Sequence, residues 1–213
     1  MPEPLSPGFA LFPLGIVALP TESIPLHIFE DRYRQMIETC LQAAEGSQES
    51  EFGILWLSDE ELKPIGCACT VESVLERMDD GRLNIIARGT RPFRLIERQD
   101  DLPYPAGVVE FLSETPESFD KDCAEKAWSR YRDLVMQATD REIAAAELAK
   151  MSSYRMAATV EFALDAKQEL LELRSENARM TLLGKLLGEA IERLDLLERA
   201  QMRAASNGKV RFG

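Results

Sequence analysis

The apolar period of this chain changes at Thr115-Pro116 and does not change back. Before that point, apolar residues alternate every second position or come in short runs cut by proline and glycine, except at residues 29–44. After it they recur every third or fourth position to the end. Successive side chains of a strand point to opposite faces, which gives a period of two, whereas a helix gives 3.6. Patterning in that order predicts an α+β chain, with a strand-rich domain at residues 8–114 and a helical domain at 118–203.

In the first half, "MPEPLSPG" reads as a loose segment. The run "FALFPLGIVALPTESIPLHIF" is cut by Pro13, Gly15, Pro20 and Pro25 and reads as short or edge strands, since proline donates no ladder hydrogen bond. Phe29, Tyr33, Met36, Ile37, Cys40, Leu41 and Ala44 then recur at helical spacing. Acids at Glu30 and Asp31 suit the positive start of that helix, and Gly46 suits its end. "EFGILWL" reads as a buried strand. In "PIGCACTVESVLERM", alternation puts Cys67, Cys69, Val71 and Leu75 on one face and Thr70, Glu72 and Glu76 on the other. Asp80-Gly81 marks a tight turn. In the returning strand Leu83, Ile85, Ala87, Phe93 and Leu95 point inward, with a bulge expected at Gly89. "AGVVEFLSE" is the last strand before the break. Arg82, Arg88 and Arg94 take the opposite parity from the apolar set, which suits a solvated strand face.

In the second half Phe119, Ala124, Ala127, Trp128, Tyr131, Leu134, Val135 and Ala138 form one stripe. Shorter helices are predicted at 142–151, 153–164 and 166–173. A long helix follows from Ser175, with Met180, Leu183, Leu187, Ala190, Leu194 and Leu197 as a packing seam. That seam packs within the chain or between two copies, so a homo-oligomer stays open. The tail from Ala204 reads as basic and frayed.

Charge narrows the function classes. The chain carries 37 acidic and 25 basic residues, a formal charge of −12. Residues 1–113 hold 9 Lys and Arg against 19 Asp and Glu, a balance of −10, so the strand half repels polyphosphate and anionic lipid. Nucleic-acid binding and a membrane partner are not expected. No charged leader and no membrane-length apolar run is present, and the chain reads as cytoplasmic. Cys40, Cys67, Cys69 and Cys123 lack metal-finger spacing and read as reduced thiols.

Catalytic chemistry finds no residues to carry it. No G-x-x-x-x-G-K-[ST] loop is present to cradle phosphates, and the seven lysines lie mostly in polar stretches, unsuited to a serine–lysine peptidase. His27, the only histidine, sits in the apolar "IPLHIF" run and reads as a hydrogen-bonded strand residue. Cys67 and Cys69 share a strand face but lack two further soft ligands nearby, so small core residues describe them better than a metal site. The acids of "DEEL" and "RQDDL" adjoin turns and read as solvated. No cofactor, metal or catalytic residue is expected.

The segments "LFPLGIVALPTESIPLHIFEDRYRQMI", "IGCACTVESV", "DGRLNIIARGTRPFRLIE", "DAKQELLEL" and "ARMTLLGKLL" resemble, in that order, the N-terminal substrate-binding domain of the Lon protease family in a standalone form. The resemblance runs from about Phe9 to Leu197, and its most specific parts are the "LFPL…IPLHIFE" opening and "RGTRPFR". Where that family often has proline at the helix start, this chain has Asp31, which also suits a helix start. The resemblance implies a PUA-like twisted β-barrel followed by a helical bundle. It further implies a non-enzymatic module that captures unfolded or tagged polypeptides, with a separate protease or chaperone as partner. Leu14, Ile16, Leu26, Ile28, Phe29 and Tyr33 are the candidate polypeptide contacts, because proline-cut strands cannot all be paired. Arg88, Arg91 and Arg94 are candidate anion or partner contacts. The alternatives are an RNA-binding PUA-like protein, against which the acidic balance counts, and a small-ligand sensor.

Overall fold

Alternation in the first half becomes β1 (Ser6–Leu14), β2 (Ser23–Ile28), β3 (Glu51–Ser58), β4 (Glu61–Leu62), β5 (Ile65–Arg77), β6 (Leu83–Gln99) and β7 (Ala106–Phe111). The helical patterns become α1 (Asp31–Gln42), α2 (Lys121–Thr139), α3 (Ala145–Leu148), α4 (Ser153–Ala157), α5 (Leu164–Glu172) and α6 (Glu176–Asn207). These elements come from a computed structural model, which describes residues 5–59 and 61–207, with side chains described to residue 203. The side chains of the expected frayed tail, and residues 208–213 entirely, lie outside the described residues, as do residues 1–4.

The strands form one mixed, largely antiparallel sheet ordered β1-β7-β6-β5-β3-β4, with β2 added on β6. β1 also pairs in parallel with β3, from Ala10 opposite Phe52 to Leu14 opposite Trp56, so the pairing path β1-β7-β6-β5-β3 returns to its start. β1 is therefore paired on both sides despite Pro13, whereas the proline suggested an edge strand; the loose segment expected up to Gly8 already contributes Ser6 to the ladder with β7. Phe9, Leu11, Leu55, Ala68, Phe93, Val109 and Phe111 fill the core of the sheet. Phe9 meets Phe93 and Phe111 edge-on, each with centroids 5.4 Å apart. Side chains of this size each contribute on the order of 1.5–3 kcal/mol on burial.

β6 is 17 residues long and has three partners: its first part pairs with both β2 and β5, its last part with β7. Gly81, at φ 85°, turns the chain from β5 into β6, as Asp80-Gly81 predicted. The register slips beside Gly89, where Ala68–Cys69 oppose Arg91 and Gly89. Glycine is required there because the loop after β1 comes in close: Thr21 N–H donates to the Gly89 carbonyl at 2.8 Å and Gly89 N–H to that of Glu22 at 2.9 Å. A Cβ at Gly89 would collide with the Leu19 carbonyl.

α1 buries Tyr33, Met36, Ile37 and Cys40 against β3 and β5, and Phe12 lies 4.2 Å from the Tyr33 ring. Phe29 and Leu41, expected on the same stripe, are exposed.

The chain divides into two compact units. The first holds the described residues up to Glu117 together with Ser153–Ser175; the second holds Ser118–Ser152 and the described residues from Glu176 onward. Patterning suggested one break near residue 115, whereas α4 and α5 belong to the unit that holds the sheet, with α5 packed on β5. Gln168 Nε2 donates to the Ile65 carbonyl at 3.1 Å, and Tyr154, Met156, Leu170 and Leu171 are buried.

In the second unit α2 and α6 run in the same direction. Asp120 N–H meets Asn177 Oδ1 at 2.8 Å at one end, and Gln137 Nε2 meets Asp195 Oδ1 at 2.7 Å at the other. Asp120 caps α2, accepting from the N–H groups of Asp122 and Cys123, which lowers its carboxyl pKa. Ala124, Ala127, Tyr131 and Leu134 are buried on α2, and Met180, Leu183 and Leu187 on α6. Farther along the predicted seam Ala190 and Leu194 are half-buried and Leu197 is exposed.

Candidate functional site

Opposed residues in a ladder share a face. Across β2, β6 and β5 this gives rows of Ser23, Arg88 and Thr70, then Pro25, Ile86 and Ser73, then His27, Asn84 and Glu76. Polar side chains in these rows satisfy one another. His27 Nδ1 donates to Asn84 Oδ1 at 2.7 Å, the Asn84 amide donates to Glu76 at 2.8 Å, and Ser23 and Arg88 both reach Glu72. The arginines in and just before β6 follow the same rule. Arg82 binds Asp80 at 2.7 Å, Arg88 Glu72 at 3.2 Å, Arg91 Glu51 at 2.8 Å and Arg94 lies 3.7 Å from Glu110; Arg91 also sits over the Phe111 ring. Each is about half exposed, so these guanidiniums form a wet strand face already supplied with carboxylates.

Beside the His27–Asn84–Glu76 row lies a hollow of about 650 Å³ lined by Pro25, Leu26, His27, Leu75, Glu76 and Ile85 as well as Asn84. Phe29 stacks on His27 with centroids 5.9 Å apart and is 60% exposed, and Leu75 is 63% exposed. Large apolar side chains left in water around a concavity are what a docking surface for another chain requires. β2 has no strand on its other side among the described pairings. Pro25 interrupts that free edge, and proline at an edge opposes strand addition, so side-chain docking suits this surface better than an added strand.

The six candidate polypeptide contacts do not come together as one patch. Leu26 lines the hollow and Phe29 flanks it, while Leu14 and Ile16 are half-buried elsewhere on the first unit. Ile28 and Tyr33, at 1% and 6% exposure, belong to the core and present no surface. Sequence reading missed Leu75, assigning it to one strand face with Cys67, Cys69 and Val71. Register shifts in β5 between Val71 and Ser73 and between Val74 and Glu76 break the alternation and leave it outside. A second groove, about 390 Å³, is lined by Ile16, Val17, Ile24, Phe162 and Leu164 around a half-buried Glu22–Lys167 pair at 2.6 Å. The paired residues are 145 positions apart, beyond the reach of any local pattern.

Cys67 and Cys69 are fully buried, and the Cys69 thiol is held well above its ordinary pKa, first by its hydrogen bond with Cys67 and then by burial. No cluster of three metal-ligating side chains occurs among the described residues. No helix among them is long and apolar enough to cross a membrane.

A family model for the ATP-dependent protease La (LON) substrate-binding domain matches residues 9–189. The crystal structure of a Lon N-terminal domain protein from Xanthomonas campestris is 24% identical, with a TM-score of 0.61 over 83% of this chain and 96% of that one. The N-terminal domain of the Mycobacterium avium complex Lon protease is 18% identical, with a TM-score of 0.59 over 85% of this chain and 98% of that one. These two share the fold.

Proposed function

The chain belongs to the family of the ATP-dependent protease La (LON) substrate-binding domain, and from that premise we propose that it is a non-catalytic polypeptide-recognition module. The observation that carries this reading is the hollow beside β2, where Phe29 and Leu75 stand in water around Leu26, His27 and Ile85. A client exposes apolar side chains only while unfolded, and burying one or two of them here stabilises a reversible complex without bond chemistry. The ring of strands acts as a PUA-like barrel that holds this surface rigid, and the helices of the second unit serve as a bundle. Free thiols suit the reducing cytoplasm, where an adaptor would pass clients to a separate protease or chaperone. The acidic strand half favours clients with basic residues near the apolar ones.

Binding of labelled, reduced casein, followed by fluorescence anisotropy, tests the reading. Saturable binding is expected, weakened about tenfold by combining Phe29→Ala and Leu75→Ala with an unchanged thermal melt, since a few exposed anchors carry most of such an affinity. Binding no stronger than to an inert acidic control protein overturns it.

A further inference from the structure

Five arginines lie on β5 and β6: Arg77, Arg88, Arg91, Arg94 and Arg98. The first four each have a carboxylate partner, at Glu38, Glu72, Glu51 and Glu110. The Arg98 side chain makes no hydrogen bond or ion pair among the described residues, its backbone lying in the ladder opposite Gly107. In a strand half with twice as many acids as bases, a guanidinium left without an acid stands out.

Arg98 lines a hollow of about 350 Å³ whose walls include Leu11, Leu62, Leu102 and Pro103. Tyr104 lines it too, and its hydroxyl has no hydrogen-bond partner among the described residues. Gln99 accepts the Gly8 N–H on its side-chain oxygen at 2.7 Å, which leaves its NH₂ free to donate. Two other charged groups line the hollow. Arg32 is held by Glu30 at 2.7 Å and Asp100 is exposed, so Arg98 supplies the uncompensated positive charge and Asp100 opposes a second negative one. The combination selects a ligand with one negative charge, a nearby hydrogen-bonding group and an apolar side chain. An arginine fork binds a carboxylate through two parallel N–H···O bonds, which fits that charge.

Resting on the polypeptide-recognition reading, we propose that this hollow takes the free C-terminal carboxylate of a client whose last residue is apolar. Arg98 is its anion-binding group, and Leu62 and Leu102 receive the side chain. A divalent phosphate is disfavoured by Asp100.

The test compares two short, N-terminally labelled peptides ending in Ala-Leu, one with a free carboxylate and one with a carboxamide, by fluorescence anisotropy against the whole chain. The carboxylate form is expected to bind about tenfold more tightly, as a charge-assisted pair allows. Arg98→Ala should abolish that difference, Arg98→Lys should keep part of it, and Arg94→Ala should leave it unchanged. Equal binding of the two peptides, or a carboxylate preference that survives Arg98→Ala, overturns the proposal. So does displacement of the peptide by inorganic phosphate at lower concentration than by acetate. If casein binds while neither peptide does, this site is refuted and the recognition reading stands. If casein also fails, the recognition reading falls with it.

Discussion

Cys40 points from α1 into the core, with its Sγ 3.8 Å from the Glu51 carbonyl oxygen. Burial pushes its thiol up to about 12 from an ordinary value of 9.0. A group whose folded pKa is raised contributes stability that is complete below the unfolded value and is lost as pH rises through the folded one. Stability should therefore fall between pH 9.0 and about 12. The limiting slope from this one thiol is about 1.4 kcal/mol per pH unit, and Cys69 steepens the fall. Urea midpoints measured across that range should fall less steeply in Cys40→Ala than in the parent, whatever the variant's absolute stability; an equal slope means the thiol ionises freely in the fold. The strand arginines teach the same lesson about environment. Alternation placed Arg88 and Arg94 correctly on the wet face, yet only the folded chain brings Glu72 and Glu110 beside them.

At the scale of elements, periodicity located the strands and helices better than it located faces. α1, β3 and α6 begin close to where the apolar period indicates. β5 departs because its two added residues shift parity halfway along, which no alternation count detects. α6 departs because it outlasts its partner: α2 ends at Thr139, level with the Gln137–Asp195 contact, and among the described residues the seam beyond Leu194 has nothing to pack on. Leu183→Ala should cost about 2–5 kcal/mol by opening a cavity. Leu197→Ala should change stability by less than about 0.5 kcal/mol. Chemical denaturation at constant m-value separates the two. A large loss at Leu197 would show that the overhang is covered by a second copy in solution, which sedimentation at several concentrations would register.

For the whole molecule, the charge of −12 sets the conditions under which it meets a partner. Binding of a basic unfolded client should weaken steadily as salt rises from low to physiological strength, while binding of a neutral apolar peptide should hold, because screening acts on the first and not on the second. Anisotropy titrations at several ionic strengths distinguish them; equal salt dependence would mean the acidic surface plays no part in client choice. The sequence by itself determined the order of strands and helices and the acidic balance, since each is a property of local spacing or of composition. Only the tertiary structure decided that β1 is paired on both sides, that residues 153–175 join the sheet, that Ile28 and Tyr33 are core, and that Leu75 and Arg98 face open hollows. Each of those depends on contacts between residues far apart in the chain or on a register shift, and a repeating apolar period carries no record of either.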